Sequence, residues 1–361
     1  MTDTVTIKNV AEVASVSVVT VSRVFNNSAK VSEETRQRVL KAAAEIGYLG
    51  SKGYVSSMRQ QLRTGVASEA LKEIGFFFHV DGDALTGGPF WSHIMFGVES
   101  EARKANINVL CRSISDIVQA PNVFLDAVQQ MGINAILLVG PPEVETVHIL
   151  QHTGLPVVLI DTDVPDLAVD AVLSDYFGGA REAVSYLIRA GHRQIAFISS
   201  PVIDKIYTLE LRLMGYHAAL LNAGLPFNEA LYAVSSSPVG HIHQSLSPEG
   251  GYEACQRLLA RNVPFTAIFC ANDLMAIGAI KALREAGLRV PEDISVIGVD
   301  DIELAEHIQP TLTTVRVNKE GMGSTAVKTL IARAANPEAE PTTTLLKVEL
   351  IKRQSVTSPI P

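Results

Sequence analysis

The chain has 361 residues, 47% hydrophobic and 19% charged, with a net charge of -8. These proportions describe a folded protein with room for two or three cores and argue against disorder. No window reaches the roughly 18 to 20 uninterrupted apolar residues of a membrane span, and Met1 to Val5 offers neither a basic leader nor an apolar signal core, so a cytoplasmic protein with no membrane partner is expected.

The charge is unevenly placed. Residues 1–63 carry nine Lys or Arg against five acids, a balance of +4, which leaves -12 on the remainder. A basic end on an acidic body suits a protein that meets phosphates with one end only. Cys111, Cys255 and Cys270 are odd in number, widely spaced and set in apolar runs, which points to buried thiols rather than disulfides or zinc.

In chain order, Thr6 offers a hydroxyl to the first turn of a helix whose apolar stripe is Ile7, Val10, Ala11 and Ala14. After a break at Ser15-Val16, Ser17 caps a second helix. Val21, Val24 and Phe25 face one way, and Val18, Val19, Ser22, Arg23 and Asn26 face the other. Two short helices and a tight turn, with small hydroxyls, an arginine and an asparagine outward, fit a helix-turn-helix, although an ordinary helical hairpin has the same periodicity. Ser32 then precedes a third helix, with acids in its first turn and a stripe of Val39, Ala42, Ala43 and Ile46. The module ends near Tyr48, where L-G-S-K-G-Y-V-S-S begins a linker.

The segments T-I-K-N-V-A, V-S-V-V-T-V-S-R-V-F-N, V-S-E-E-T-R-Q-R-V and I-G-Y resemble the LacI/GalR (lactose and galactose repressor) family of bacterial transcription regulators. Ser15 stands where that family usually has glycine, at a position expected to need a left-handed backbone, at a cost of about 1 kcal/mol. The resemblance implies a double-stranded DNA operator as partner. The candidate DNA-binding residues are Thr6, Ser17, Val18, Val19, Thr20, Ser22, Arg23 and Asn26, with Leu62 of S-S-M-R-Q-Q-L-R-T matching the leucine that a hinge helix wedges into the minor groove. Residues 49–73 are longer than the family's usual connection and lack its asparagine-alanine pattern, which leaves a plain polar connector as the other reading.

From Ile74 onward, apolar runs (I-G-F-F-F-H-V, I-N-V-L-C, A-I-L-L-V, P-V-V-L-I, Q-I-A-F-I, T-A-I-F-C, I-S-V-I-G-V) alternate with amphipathic stretches such as Phe90 to Asn106, Phe177 to Ala190 and Leu274 to Ala286. Continuous apolar strands between helices mean parallel sheets covered on both faces, and this length exceeds one core. The expected fold class is an N-terminal all-α helix-turn-helix module followed by an α/β body of two doubly wound parallel-sheet lobes. The resemblance implies the same periplasmic-binding-protein-like body, and a homodimer is expected because one helix-turn-helix makes too few contacts for tight specific binding. The expected division is 1–49 for the DNA-binding domain, 50–73 for the linker with hinge helix, and 74–361 for effector binding and dimerisation. Within the body, lobe one takes about 74–173 plus 314–342 and lobe two about 174–313 plus 343–361, with crossovers near Ser174, Thr314 and Thr343 and a last strand over L-L-K-V-E-L-I. No heptad follows Ile351, so the tetramerising tail of some family members is not expected.

Ligands of open parallel sheets bind beyond the carboxyl ends of the strands. Asp161 and Asp163 follow P-V-V-L-I, Asn272 and Asp273 follow A-I-F-C, and Asp300 and Asp301 follow V-I-G-V; Phe90 and Trp91 open a helix and Arg212 lies within T-L-E-L-R-L-M-G-Y. Carboxylates, an amide, an arginine and an aromatic face suit the hydroxyls and apolar face of a sugar. The resemblance matches Asp161, Arg212, Asn272 and Asp300 to the family's effector contacts, to which Phe90 and Trp91 are added. Duller roles compete: helix capping for Asn272 and Asp273, core packing for Trp91. A metal at Asp300-Asp301 lacks further ligands, the histidines show no zinc spacing, and neither a phosphate loop nor a G-x-S-x-G elbow occurs, so no catalytic residue, metal or cofactor is expected. Of three classes, an enzyme lacks an assembled constellation and a solute-binding protein should carry an export signal and no basic helical module. The expectation is a regulator, a repressor of sugar-utilisation genes answering to a sugar or glycoside between the lobes. The alternative is the same regulator answering to a nucleobase or a protein partner.

Overall fold

The computed structural model describes residues 6–25, parts of 31–42, and 71–78, 89–114, 121–140, 144–164, 167–201, 207–236 and 246–359. The predicted residues Asn26 and Leu62, and the linker 50–70, lie outside them.

Helices α1 (Ile7–Val13) and α2 (Val18–Phe25) form as their stripes predict. Asn9 Oδ1 reaches back to the Thr6 amide (2.8 Å) and also accepts from the Thr6 hydroxyl (2.6 Å), while Ser17 Oγ accepts from the Thr20 amide at 3.0 Å and so caps α2. Ser15 turns the chain between them at φ 52°, the left-handed conformation expected of that position. Val10, Ala11, Ala14, Val21, Val24, Val39 and Ala42 bury one another in a small separate core, and the guanidinium of Arg36 donates to the Val24 carbonyl (3.4 Å) near the end of α2.

The body alternates strand and helix. Its first part runs β1 (Glu73–Phe78), α3 (Pro89–Lys104), β2 (Asn108–Ser113), α4 (Pro121–Gln130), β3 (Ala135–Val139), α5 (Val144–His152), β4 (Val157–Ile160) and β5 (Asp170–Ser174). There follow α6 (Tyr176–Arg189), β6 (Ile195–Ser199), α7 (Tyr207–Asn222), β7 (Tyr232–Val234), α8 (Pro248–Ala260), β8 (Ala267–Cys270), α9 (Asp273–Glu285), β9 (Ser295–Asp300), α10 (Leu304–His307) and β10 (Thr313–Arg316). The chain closes with α11 (Lys319–Ala335), β11 (Thr343–Leu346) and β12 (Glu349–Ile351). One sheet has the order β11-β5-β4-β3-β1-β2 and the other β12-β10-β9-β8-β6-β7. Their pairs are parallel except β10 with β12. Strands β3, β4, β5, β6, β8 and β9 are buried throughout, the signature of sheets clothed on both faces.

Two expected crossovers move. Thr313–Arg316 pairs with β9, so the chain leaves the second sheet after Arg316 rather than near Thr314. Thr343–Leu346 pairs with β5, Thr343 opposite Ala171, so it belongs to the first lobe rather than the second. The single strand expected over L-L-K-V-E-L-I is therefore two, divided between sheets at Lys347-Val348. Strand-forming residues look alike in both lobes; only the partner strand decides the sheet, and for Thr343 that partner, Ala171, lies far back in the sequence. Among the described residues no helix is long and apolar enough to cross a membrane.

Candidate functional site

On α2 the inward Val21 and Val24 leave Val18, Val19 and Arg23 exposed and Thr20 and Ser22 half-buried. The Thr20 and Ser17 hydroxyls lie 2.8 Å apart, which ties the Thr20 side chain to the helix start. The outward face thus combines two valines, a serine and an exposed arginine, chemistry suited to thymine methyls and guanine edges in a major groove.

The second candidate site lies between the lobes. Asp161 leaves the end of β4 at φ 60° and Asp300 closes β9 at φ 111°, both left-handed, so each carboxylate is aimed by a backbone that ordinary residues rarely adopt. Tyr176, the first residue of α6, donates its hydroxyl to Asp161 Oδ1. The Arg212 guanidinium from α7 lies over the Tyr176 ring, 4.1 Å from its centroid, and Arg212 Nη2 is 3.6 Å from Asp300 Oδ1. Three of the predicted residues, Asp161, Arg212 and Asp300, are brought together in this way. Among the described residues, Arg212 Nε and Asp300 Oδ1 are buried without a hydrogen-bond partner.

Burial pushes the Asp161 carboxyl up to about 7, against the Tyr176 hydrogen bond and Arg212, with Asp300 adding to the rise. Burial likewise lifts Asp300 to about 6, opposed by Arg212 and Lys319. The Tyr176 phenol is raised, first by burial and then by Asp161, so it remains a donor. Lys319, first residue of α11 in lobe one, donates to the carbonyls of Asp300 (2.5 Å) and Asp301 (3.1 Å) in lobe two; burial lowers its pKa, opposed by Asp300.

Other predicted residues have structural duties. Asn272 caps α9, its Oδ1 accepting from the Met275 amide (2.8 Å), and its Nδ2 donates to the Leu246 carbonyl (2.9 Å). Asp273 is wholly buried, accepting from Thr314 Oγ1 (2.5 Å) and the Ile302 amide (2.9 Å), and burial followed by the nearness of Asp300 raises its pKa. Asp301 is taken by Arg316 and Arg353, each at 2.7 Å. Asp163 accepts from Thr343 Oγ1 at 3.1 Å. Phe90 and Trp91 meet edge to face at 4.9 Å and are half-buried against the main core. No group of metal-ligating side chains occurs among the described residues. The thiols of Cys255 and Cys270 are buried and Cys111 is half-buried, each free.

Two residues escaped the sequence reading. Tyr176 sits one residue past the first crossover, where a large aromatic carrying a hydroxyl is itself a signal. Lys319 opens a helix at the end that favours acids, an anomaly that marks it for another partner.

Residues 6–51 match the family model for bacterial regulatory proteins of the lacI family, and residues 184–356 match the periplasmic binding protein-like domain. The chain is 32% identical over 357 residues to the probable HTH-type transcriptional repressor ExuR of Bacillus subtilis, covering 98% of each. It is 31% identical to the ribose operon repressor of Haemophilus influenzae, covering 98% of this chain and 99% of that one. Among solved structures, the complex of the transcriptional regulator CelR with cellobiose superposes with a TM-score of 0.72 at 30% identity, covering 98% of this chain and all of the other. With a capped helix-turn-helix ahead of two doubly wound lobes, and these likenesses along its whole length, the chain belongs to the LacI family of bacterial regulatory proteins and is a transcriptional regulator, not an enzyme.

Proposed function

We propose that this repressor, as a homodimer on a near-palindromic operator, is controlled by a sugar or glycoside held between its lobes. The observation that carries the effector reading is the buried pair Arg212 Nε and Asp300 Oδ1, a donor and an acceptor without hydrogen-bond partners among the described residues. A vicinal diol supplies both complements at once. Asp161, with one oxygen committed to Tyr176, has the other for a further hydroxyl, and Phe90 or Trp91 offers an apolar face. The likeness to a cellobiose-bound regulator and to a ribose operon repressor supports a polyhydroxylated ligand. One helix-turn-helix makes too few contacts for tight specific binding, which favours two copies on two half-sites. By reciprocity, whatever factor the effector applies to operator affinity, the operator applies to effector affinity.

A thermal-shift panel of sugars, glycosides and nucleobases on the full chain tests the effector. A true ligand at 100 times its Kd adds about 2.7 kcal/mol to stability, and Arg212→Ala or Asp300→Ala should abolish that gain. A nucleobase as the only hit would replace the sugar reading, and an unchanged response in both variants would displace the site. On the DNA side, Arg23→Ala should weaken a selected operator by about 1 to 3 kcal/mol while barely altering binding to random duplex. Equal loss on both duplexes would make Arg23 a phosphate contact.

A further inference from the structure

We infer that Tyr176 is the positioning residue of the effector site: its ring seats the Arg212 guanidinium and its hydroxyl holds Asp161, so that one side chain sets the binding groups of both lobes. The inference rests on the effector reading above.

Tyr176 opens α6 on the second lobe, anchored by Asp175, whose Oδ1 accepts from the Gly178 amide at 2.8 Å. Only 1% of Tyr176 is exposed, so its ring has one seat. From there the hydroxyl crosses to Asp161, which belongs to the first lobe through β4, where the Asp161 amide donates to the Val172 carbonyl at 3.0 Å. The opposite tie runs through the ring face. Arg212 is 5% exposed and stacks at 4.1 Å, but its nearest carboxylate, Asp300, is 3.6 Å away, too far for a hydrogen bond. The ring face, beside an ion pair too long for a hydrogen bond, therefore seats the guanidinium, and Nε is left without a hydrogen-bond partner among the described residues. Removing the ring would let Arg212 swing onto Asp300 and close the two groups on each other.

The hydroxyl has a separate effect. It donates to Asp161 and so favours the carboxylate over the acid, alongside Arg212 and against burial and Asp300. The charged groups facing this cluster are Arg212 from α7, Asp300 from the end of β9, Lys319 from α11 and Asp273 from α9. None of these donates a hydrogen bond to Asp161 among the described contacts, so among the described residues the tyrosine is the hydrogen-bonded link between its proton and the second lobe, while Arg212 and Asp300 act on it through space.

Two variants separate the two roles. Tyr176→Phe keeps the ring and loses the hydroxyl; Tyr176→Leu loses both. In the ligand-free full chain, the Arg212 Nε–H resonance, assigned by its loss in Arg212→Lys, should sit upfield under the ring current in wild type and Tyr176→Phe and return to the ordinary arginine position in Tyr176→Leu. With cellobiose and D-ribose as probes, Tyr176→Phe should bind about tenfold more weakly, in keeping with one lost charge-assisted hydrogen bond. The midpoint of its affinity against pH should also move upward, because Asp161 has lost the donor that held its carboxyl down. Tyr176→Leu should lose binding outright. An Arg212 resonance unmoved in Tyr176→Leu, or a Tyr176→Phe profile that overlays wild type, overturns the inference. If Tyr176→Leu does not fold, the Tyr176→Phe profile decides alone. If neither these two nor any sugar or glycoside of the thermal-shift panel binds wild type, it is the effector reading that fails, and the ligand-free resonance, read in Tyr176→Leu or, where that does not fold, in Tyr176→Ile, still decides the positioning role.

Discussion

His192, in the turn after α6, is buried with both ring nitrogens engaged: Nδ1 is 2.9 Å from Thr266 Oγ1 and Nε2 is 2.9 Å from the Thr357 carbonyl. A carbonyl only accepts, so Nε2 carries the proton and the neutral ring clamps the C-terminal tail against the second lobe. Burial holds this imidazole below its ordinary 6.5, with the Thr357 carbonyl pulling the other way. The fold thus prefers the neutral form; its contribution is complete above the unfolded value of 6.5 and is lost as pH falls through the lowered folded value. Urea midpoints taken from about pH 8 down to about pH 5 should fall on the acid side, and His192→Gln should flatten that slope while costing about 1 to 3 kcal/mol at the alkaline end. Single residues were legible in the sequence where their chemistry follows from a strand end: Asp161, Asp300 and the capping amide of Asn272. Arg212 was reached through the family's pattern. Tyr176 and Lys319 were not read, because their partners come from the other lobe, a relation set by the tertiary path and not by local spacing.

Helix pairs in the body close through glycines. A Cβ on Gly97 of α3 would overlap the Glu320 carbonyl of α11, and one on Gly323 of α11 would overlap the Ile94 carbonyl of α3. The same reciprocity joins α8 and α9 through Gly251 and Gly278. These contacts bring backbones together and seat α11, and with it Lys319, against the first lobe. Gly323→Ala should therefore cost about 1 to 3 kcal/mol through overpacking, and calorimetry should find Tm lower by about 2 to 4 °C per kcal/mol. An unchanged Tm would mean that α3 and α11 slide apart freely. Helices α6 and α9 lie almost where the 3.6-residue stripe placed them, and the long apolar strands were equally plain. Strands β5 (D-A-V-L-S) and β10 (T-T-V-R) were illegible: short, mixed in polarity, and held by neighbours that the sequence does not identify.

Across the whole molecule, a +4 segment of residues 1–63 is joined to a body region carrying -12. The two lobes of that body are bound by chain crossings at Ser174-Asp175, between Arg316 and Lys319, and at Lys347-Val348, and side chains reinforce them, Tyr176 to Asp161 and Lys319 to the Asp300 and Asp301 carbonyls. The arrangement was legible as two lobes because the apolar strands exceed one core. Their exact shares were not, because the last two strands go one to each sheet. That division has a consequence for synthesis. Thr343–Leu346 completes the first sheet and Glu349–Ile351, with the tail that Ser355 and Thr357 fasten to β9, completes the second. Neither lobe has all its strands until residues 343–351 leave the ribosome, whereas the helix-turn-helix, with a core of its own, has every residue of α1 and α2 some three hundred residues earlier. The nascent chain therefore holds a finished DNA-reading head long before it owns a body able to sense anything.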